Sequence, residues 1–161
     1  MVGLRGRSTG TAGPKWISAS GSTSVLWNAA GVRAGCVTWI VENYVDAAWM
    51  MERHPEWDAV ALGGANWRSE WAIRLAARRP RQVIVALDND LAGQAAGPTL
   101  QRLSSEWGAA HPGLQPPEPS GPRIVRSLRA AGLDDVLLFP WGEDAPDHAD
   151  LGWLLAQRED E

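Results

Sequence analysis

Asp88 and Asp90 stand one residue apart, directly after the apolar run Gln82–Leu87 (QVIVAL). Glu42 closes another such run, Cys36–Glu42 (CVTWIVE). Asp144 and Asp147 follow a third, Asp135–Phe139 (DVLLF), after the step Pro140-Trp141-Gly142. Carboxylates on alternate residues of a turn can point at one cation. Magnesium takes oxygen ligands, usually one or two carboxylates together with phosphate oxygens of a substrate. Two such ions about 3.5–4 Å apart stabilise the attacking and leaving oxygens of a phosphoryl transfer. Close carboxylates raise one another's pKa unless a cation neutralises them. An Asp-x-Asp alone is common in solvated turns. This one follows a strongly apolar segment, and Glu42 and Asp144 occupy equivalent places. The chemistry indicated is phosphoryl transfer assisted by a divalent metal.

Such a site needs elements that bring separate carboxylates to one place. The short β-branched and apolar runs 36–42, 58–62, 82–87 and 135–139 predict buried strands. Helices are expected over 44–54, 68–79, 91–107 and 123–131, with a last short one over 150–157. The stop signals are His54-Pro55, Pro80 and Gly132. Pro98 suggests a kink or break inside the third helix. Residues 111–122, HPGLQPPEPSGP, form a proline-rich linker, and the first 24 residues predict loops with short strands. Strands alternating with helices imply an α/β fold with a mostly parallel four-stranded sheet flanked by helices. In such sheets ligands bind at the carboxyl ends of the strands. Glu42, the Gly63-Gly64 pair, Asp88, Asp90, Asp144 and Asp147 all fall on that edge.

The 161 residues fit one domain. No apolar run approaches the roughly 18 residues that span a bilayer, so no membrane partner is expected. The N-terminus carries charge without an apolar stretch behind it, unlike a secretory signal. The single cysteine, Cys36, excludes an internal disulfide, and a cytoplasmic location is expected. The three histidines are scattered and make no structural zinc site. The net charge of −4 is unusual for a nucleic-acid binder. Seven carboxylates, Glu42, Asp46, Asp88, Asp90, Asp144, Asp147 and Asp150, lie in or near the proposed cluster; without them the net −4 becomes +3. A polyanionic substrate is therefore compatible with this chain once metal is bound. Asp46 reads as a charge in the first turn of its helix and Asp150 as an N-cap. Arg74, Arg78, Arg79 and Arg81 read most simply as a solvated face. Most of the ten tryptophans sit at core positions, while Trp16 and Trp67 fall on loops near the site and could stack bases.

The ordered motifs resemble those of a known family. Ile40-Val41-Glu42-Asn43-Tyr44-Val45-Asp46-Ala47 resembles the first motif of Toprim domains. Val85-Ala86-Leu87-Asp88-Asn89-Asp90-Leu91-Ala92-Gly93 resembles their Asp-x-Asp motif, and Ala61-Leu62-Gly63-Gly64-Ala65-Asn66 the glycine turn between the two. Gly142-Glu143-Asp144-Ala145-Pro146-Asp147 resembles the closing motif of Toprim domains in bacterial and phage DNA primases. Upstream, Gly3-Leu4-Arg5-Gly6-Arg7 and Gly13-Pro14-Lys15-Trp16-Ile17-Ser18 resemble the stretch that precedes Toprim in those primases. Asn43 replaces a usual glycine, and Glu143 replaces a common basic residue.

The resemblance implies a Toprim-like, Rossmann-like fold over residues 36–161, preceded by a remnant of a primase core over 1–35. It implies Glu42, Asp88 and Asp90 as catalytic and metal-binding residues, with Asp144 and Asp147 extending the metal site. It implies Arg5, Arg7, Lys15, Gly63, Gly64 and Asn66 as nucleotide or template contacts. The cofactor would be Mg2+ or Mn2+, and the partners single-stranded DNA template and nucleotides. The reaction would be attack of a 3′-hydroxyl on the α-phosphate of an incoming nucleotide during DNA replication. The zinc-binding module and most of the basic N-terminal part of such primases have no counterpart here. The expectation is therefore a fragment or subunit of a larger primase, working with a separate zinc-binding or N-terminal part or a helicase. A Toprim nuclease and a catalytically silent nucleic-acid or replisome-binding module are the alternatives.

Overall fold

The computed structural model describes residues 5–7, 16–18, 25–64, 66–95, 97–142, 145–147, 149–151, 153 and 154; for 5–7, 16–18, 97 and 98 it describes the backbone alone. Two short strands open the chain. β1 (Arg5–Arg7) and β2 (Trp16–Ser18) pair antiparallel, with Gly6 opposite Ile17.

The main sheet has four strands: β3 (Val37–Val41), β4 (Trp57–Ala61), β5 (Gln82–Ala86) and β6 (Val136–Leu138). Their order is β4-β3-β5-β6 and every pairing is parallel. All five residues of β3 are buried, as expected of a central strand covered on both faces. Helices α1 (Tyr44–Arg53), α2 (Ser69–Arg78), α3 (Gly97–Ala110) and α4 (Ser120–Ala130) complete the fold.

Side-chain alternation splits the core in two. Ile40, Val60, Val83, Val85 and Leu87 pack with Trp71 and Leu75 of α2 and with Ile124 and Leu128 of α4. Val37, Trp39, Val41, Ala59 and Ala86 pack on the other face with Ala47 and Met50 of α1 and with Leu151. Leu75 is fully buried. Leu75→Ala is expected to cost about 2–5 kcal/mol in urea unfolding, the range for a leucine truncated in a packed core.

The expected strands appear with ends shifted by no more than a residue or two, and α1 and α2 end where the sequence suggested. His54 is the C-cap of α1, and Arg79 ends α2 in the left-handed region at φ 56°. Two expectations need correction. The third helix does not start at Leu91. Residues 91–94 form a turn and α3 begins at Gly97, with Pro98 in the first turn, where its missing N–H is not needed. The fourth helix begins at Ser120 rather than Arg123, so the linker ends at 119 and Pro122 also lies in a first turn. The last expected helix is seen at residues 151, 153 and 154, and 155–157 lie outside the described residues.

Candidate functional site

The chain path creates a switch point. β3 leads through α1 to β4 on one side, and β4 leads through α2 to β5 on the other side of β3. The connections α1 and α2 therefore cover opposite faces. The switch point falls at the carboxyl ends of β3 and β5, the place where open α/β sheets bind ligands. Val41 is in register with Ala86. Glu42 thus leaves β3 beside Leu87, and Asp88 leaves β5 one residue further on.

Glu42 is held by backbone contacts. The Gly63 N–H donates to the Glu42 carbonyl at 2.8 Å and the Leu62 N–H to the Val41 carbonyl at 3.0 Å. Gly63 and Gly64 take φ values of 67° and 138°, which a side chain at either position would strain. The glycine turn after β4 is therefore brought against Glu42, while Asn66 is exposed. One Glu42 carboxylate oxygen, Oε2, is buried. Asn43 has extended backbone at φ −103°, and its side chain accepts from the Val45 N–H at 3.0 Å. It acts as N-cap of α1, so the loop after Glu42 has no need of the glycine usual in the family.

Asp88 and Asp90 bracket a tight turn. The Asp88 carbonyl accepts the N–H groups of Asp90 at 2.8 Å and Gln94 at 3.0 Å. Asp90 Oδ1 accepts the Gly93 N–H at 2.6 Å. Asn89 is buried, and its amide donates to the carbonyl of Pro146 at 3.1 Å. The Asn89 N–H also donates to the Ala149 carbonyl at 2.8 Å. The middle residue of the Asp-x-Asp therefore ties this turn to the closing segment.

Asp46 is the acidic residue whose role the sequence understated. It lies in the first turn of α1 as expected, yet it is only 6 % exposed. Burial, then the charges of Asp150 and Asp88, push its carboxyl from 3.8 up to about 7. Asp58 is equally buried, but Arg33 binds it through its backbone N–H at 2.7 Å and its Nε at 2.8 Å. Among the described residues no cation pairs with Asp46. Asp150 also serves as the expected N-cap, accepting the Trp153 N–H at 2.7 Å.

Asp147 is exposed and ion-paired with Arg102 of α3, which also binds Glu106 at 2.8 Å. Asp144 and Lys15 lie outside the described residues, and Arg5 and Arg7 are placed only as backbone of β1. Trp67 is half-buried at the margin of the core and packs edge-on against Trp71, with ring centroids 5.7 Å apart. The side chain of Trp16 lies outside the described residues.

Oxygen donors alone suit a hard divalent cation. Among the described residues no group of three or more acidic, histidine or cysteine side chains is arranged to hold an ion. A cation held here would draw on few protein carboxylates and would need water and phosphate oxygens to complete its shell.

The raised Asp46 pKa has a sign. Its folded value lies above its unfolded one, so the folded protein holds the extra proton between about pH 4 and 7. Stability is greatest below that window and falls as pH rises through it. Without divalent ions, unfolding at pH 8 is expected to need about 1–3 kcal/mol less than at pH 5, and Asp46→Asn should flatten the profile. Urea titrations in chelator at both pH values check this.

Residues 39–117 match the family model described as Toprim-like. Over these residues the chain is similar to Toprim-like domains. Its fold is similar to that of the Aquifex aeolicus primase crystallised as its zinc-binding and RNA polymerase domains. The TM-score is 0.60 at 17% identity, over 97% of this chain and 34% of that one. A second similar structure, a DnaG catalytic core, has a TM-score of 0.49 at 18% identity, over 97% of this chain and 44% of that one. The chain thus spans less than half the length of either. No curated protein matches it in sequence. Among the described residues no helix is long and apolar enough to cross a membrane.

Proposed function

We propose that this Toprim-like domain is of the primase type and serves divalent-metal-dependent nucleotidyl transfer on nucleic acid. One observation carries the reading. Glu42 and Asp88 leave the two central parallel strands on either side of the switch point, and buried Asp46 lies close enough to Asp88 to feel its charge.

Glu42, Asp88 and Asp90 would hold Mg2+ or Mn2+, with Asp46 beside them and Asp144 and Asp147 extending the site from the closing motif. When bound, the ion supplies charge stabilisation to the transferring phosphoryl group. The chain's own contribution is positioning. The glycine turn fixes Glu42, and the hydrogen-bonded turn 88–94 fixes the two aspartates. Arg5, Arg7 and Lys15 would meet nucleotide or template phosphates, and Asn66 is exposed near the glycine turn. Single-stranded DNA and nucleotides would be the substrates, in the cytoplasm.

The test is one reaction. The protein is incubated with end-labelled single-stranded DNA, labelled nucleotides and manganese, and the products are resolved on a sequencing gel. New short products that disappear in Asp88→Asn support nucleotidyl transfer. Shortened template that depends on Asp88 moves the reading to a Toprim nuclease. Neither product would place the chain as a binding module in this setting.

A further inference from the structure

The ladder between β5 and β6 ends in an unusual way. In a parallel pair, N–H and C=O groups link alternate residues in an even series. Here the Val83 N–H donates to the Asp135 carbonyl at 2.9 Å, and the Phe139 N–H donates to the Val85 carbonyl at 2.8 Å. The next two rungs of that series would be the Leu87 N–H to the Phe139 carbonyl and the Trp141 N–H to the Leu87 carbonyl.

Side chains occupy both rungs. The Gln94 carboxamide sits in the first: its Oε1 accepts the Leu87 N–H at 2.9 Å, and its Nε2 donates to the Phe139 carbonyl at 2.8 Å. In the second, the Trp141 indole Nε1–H donates to the Leu87 carbonyl at 2.9 Å. Gln94 is only 2 % exposed. A carboxamide inserted in a rung spreads the two strands by its own width. Both backbone groups of Leu87 remain satisfied, where a buried unpaired group would otherwise carry a desolvation cost. The spreading occurs at the residue before Asp88. α4 seals the wedge from behind, since a Cβ on Gly121 would stand 2.7 Å from the Gln94 Cβ. The sequence alone does not mark Gln94, because its partners are backbone groups 7 and 45 positions away.

We propose that Gln94, with Trp141, is a positioning residue for the acidic site: its carboxamide parts β5 from β6 and holds Leu87 so that Asp88 is presented at the switch point. It acts through the backbone and touches no ligand itself. This inference rests on the metal-binding reading above.

The test titrates the full chain with Mn2+, following free ion by electron paramagnetic resonance well below the melting temperature. Gln94→Met keeps the volume and removes both hydrogen bonds. Its manganese affinity should fall about tenfold or more with unchanged far-ultraviolet circular dichroism, the scale seen when groups supporting a metal's ligands are lost. Leu75→Val, in the core far from the carboxyl edge, is the control for instability alone and should bind like the parent. If Gln94→Met fails to fold, Gln94→Glu replaces it, since it keeps the acceptor for Leu87 and loses the donor to Phe139. Parent-like affinity in the Gln94 variants overturns the proposal. An equal loss in Leu75→Val also overturns it, because a merely structural role would then suffice. Absence of manganese binding in the parent is a separate result: it overturns the metal reading and this inference with it.

Discussion

Asp88→Asn lowers manganese affinity by at least about 100-fold, and the protein stays folded. The reason is positional. Asp88 leaves the end of β5 at the switch point, on the α1 side, where Asp46 and Asp150 already raise the local negative charge. Loss of groups that only support a ligand typically costs 10–100-fold in metal affinity, so loss of the ligand itself should exceed that. A hundredfold corresponds to about 2.7 kcal/mol. The asparagine keeps the shape of the side chain, and the Asp90 and Gln94 N–H groups that shape the turn donate to the Asp88 backbone carbonyl, which the substitution leaves in place. Circular dichroism should therefore be unchanged. The Asp46 carboxyl should also move back toward its ordinary value, since one of the charges that raises it is gone. The pH dependence of stability would then be shallower than in the parent.

Gly93→Ala should damage fold and site together. A Cβ at position 93 would stand 2.3 Å from the Asp88 carbonyl oxygen and 3.1 Å from Asp90 Oδ1. The first contact is with backbone, which cannot swing aside. Relief requires the 88–94 turn to open, and that breaks the bond from the Gly93 N–H to Asp90 Oδ1 and unseats α4, whose Gly121 N–H donates to the Gly93 carbonyl at 2.8 Å. Overpacking of this kind typically costs about 1–3 kcal/mol. Urea unfolding should show that loss, and manganese titration of the folded variant should show weaker binding. A variant with the parent's stability would mean that the turn yields more easily than these contacts imply.

How much of this was legible in the sequence follows from the range of each interaction. The strands were legible because β3 is buried throughout and β5 over most of its length, which makes largely apolar runs such as VTWIV and QVIVA. The carboxyl edge followed from strand-helix alternation alone. The helix that seemed to start at Leu91 was misplaced by local side-chain chemistry. Asp90 captures the Gly93 N–H, and the Asp88 carbonyl captures the Gln94 N–H, so the chain turns where periodicity suggested a helix. Asp46 looked like an ordinary first-turn acid because nothing local reveals that Asp88 and Asp150 come to face it. Asn89 was read as part of a turn, Gln94 as part of the third helix and Trp141 as one of the tryptophans, and none was given a partner, since their partners lie between 7 and 57 positions away. The ion pair of Asp147 with Arg102 could not be read from the sequence, because the two lie on separate elements.

The central claim is that this acidic edge binds a divalent cation, and calorimetric titration of manganese into the full chain at pH 7.5 tests it most directly. The account predicts a saturable binding heat that is lost in Asp88→Asn. No binding by the parent, or the same heat in both proteins, would contradict it.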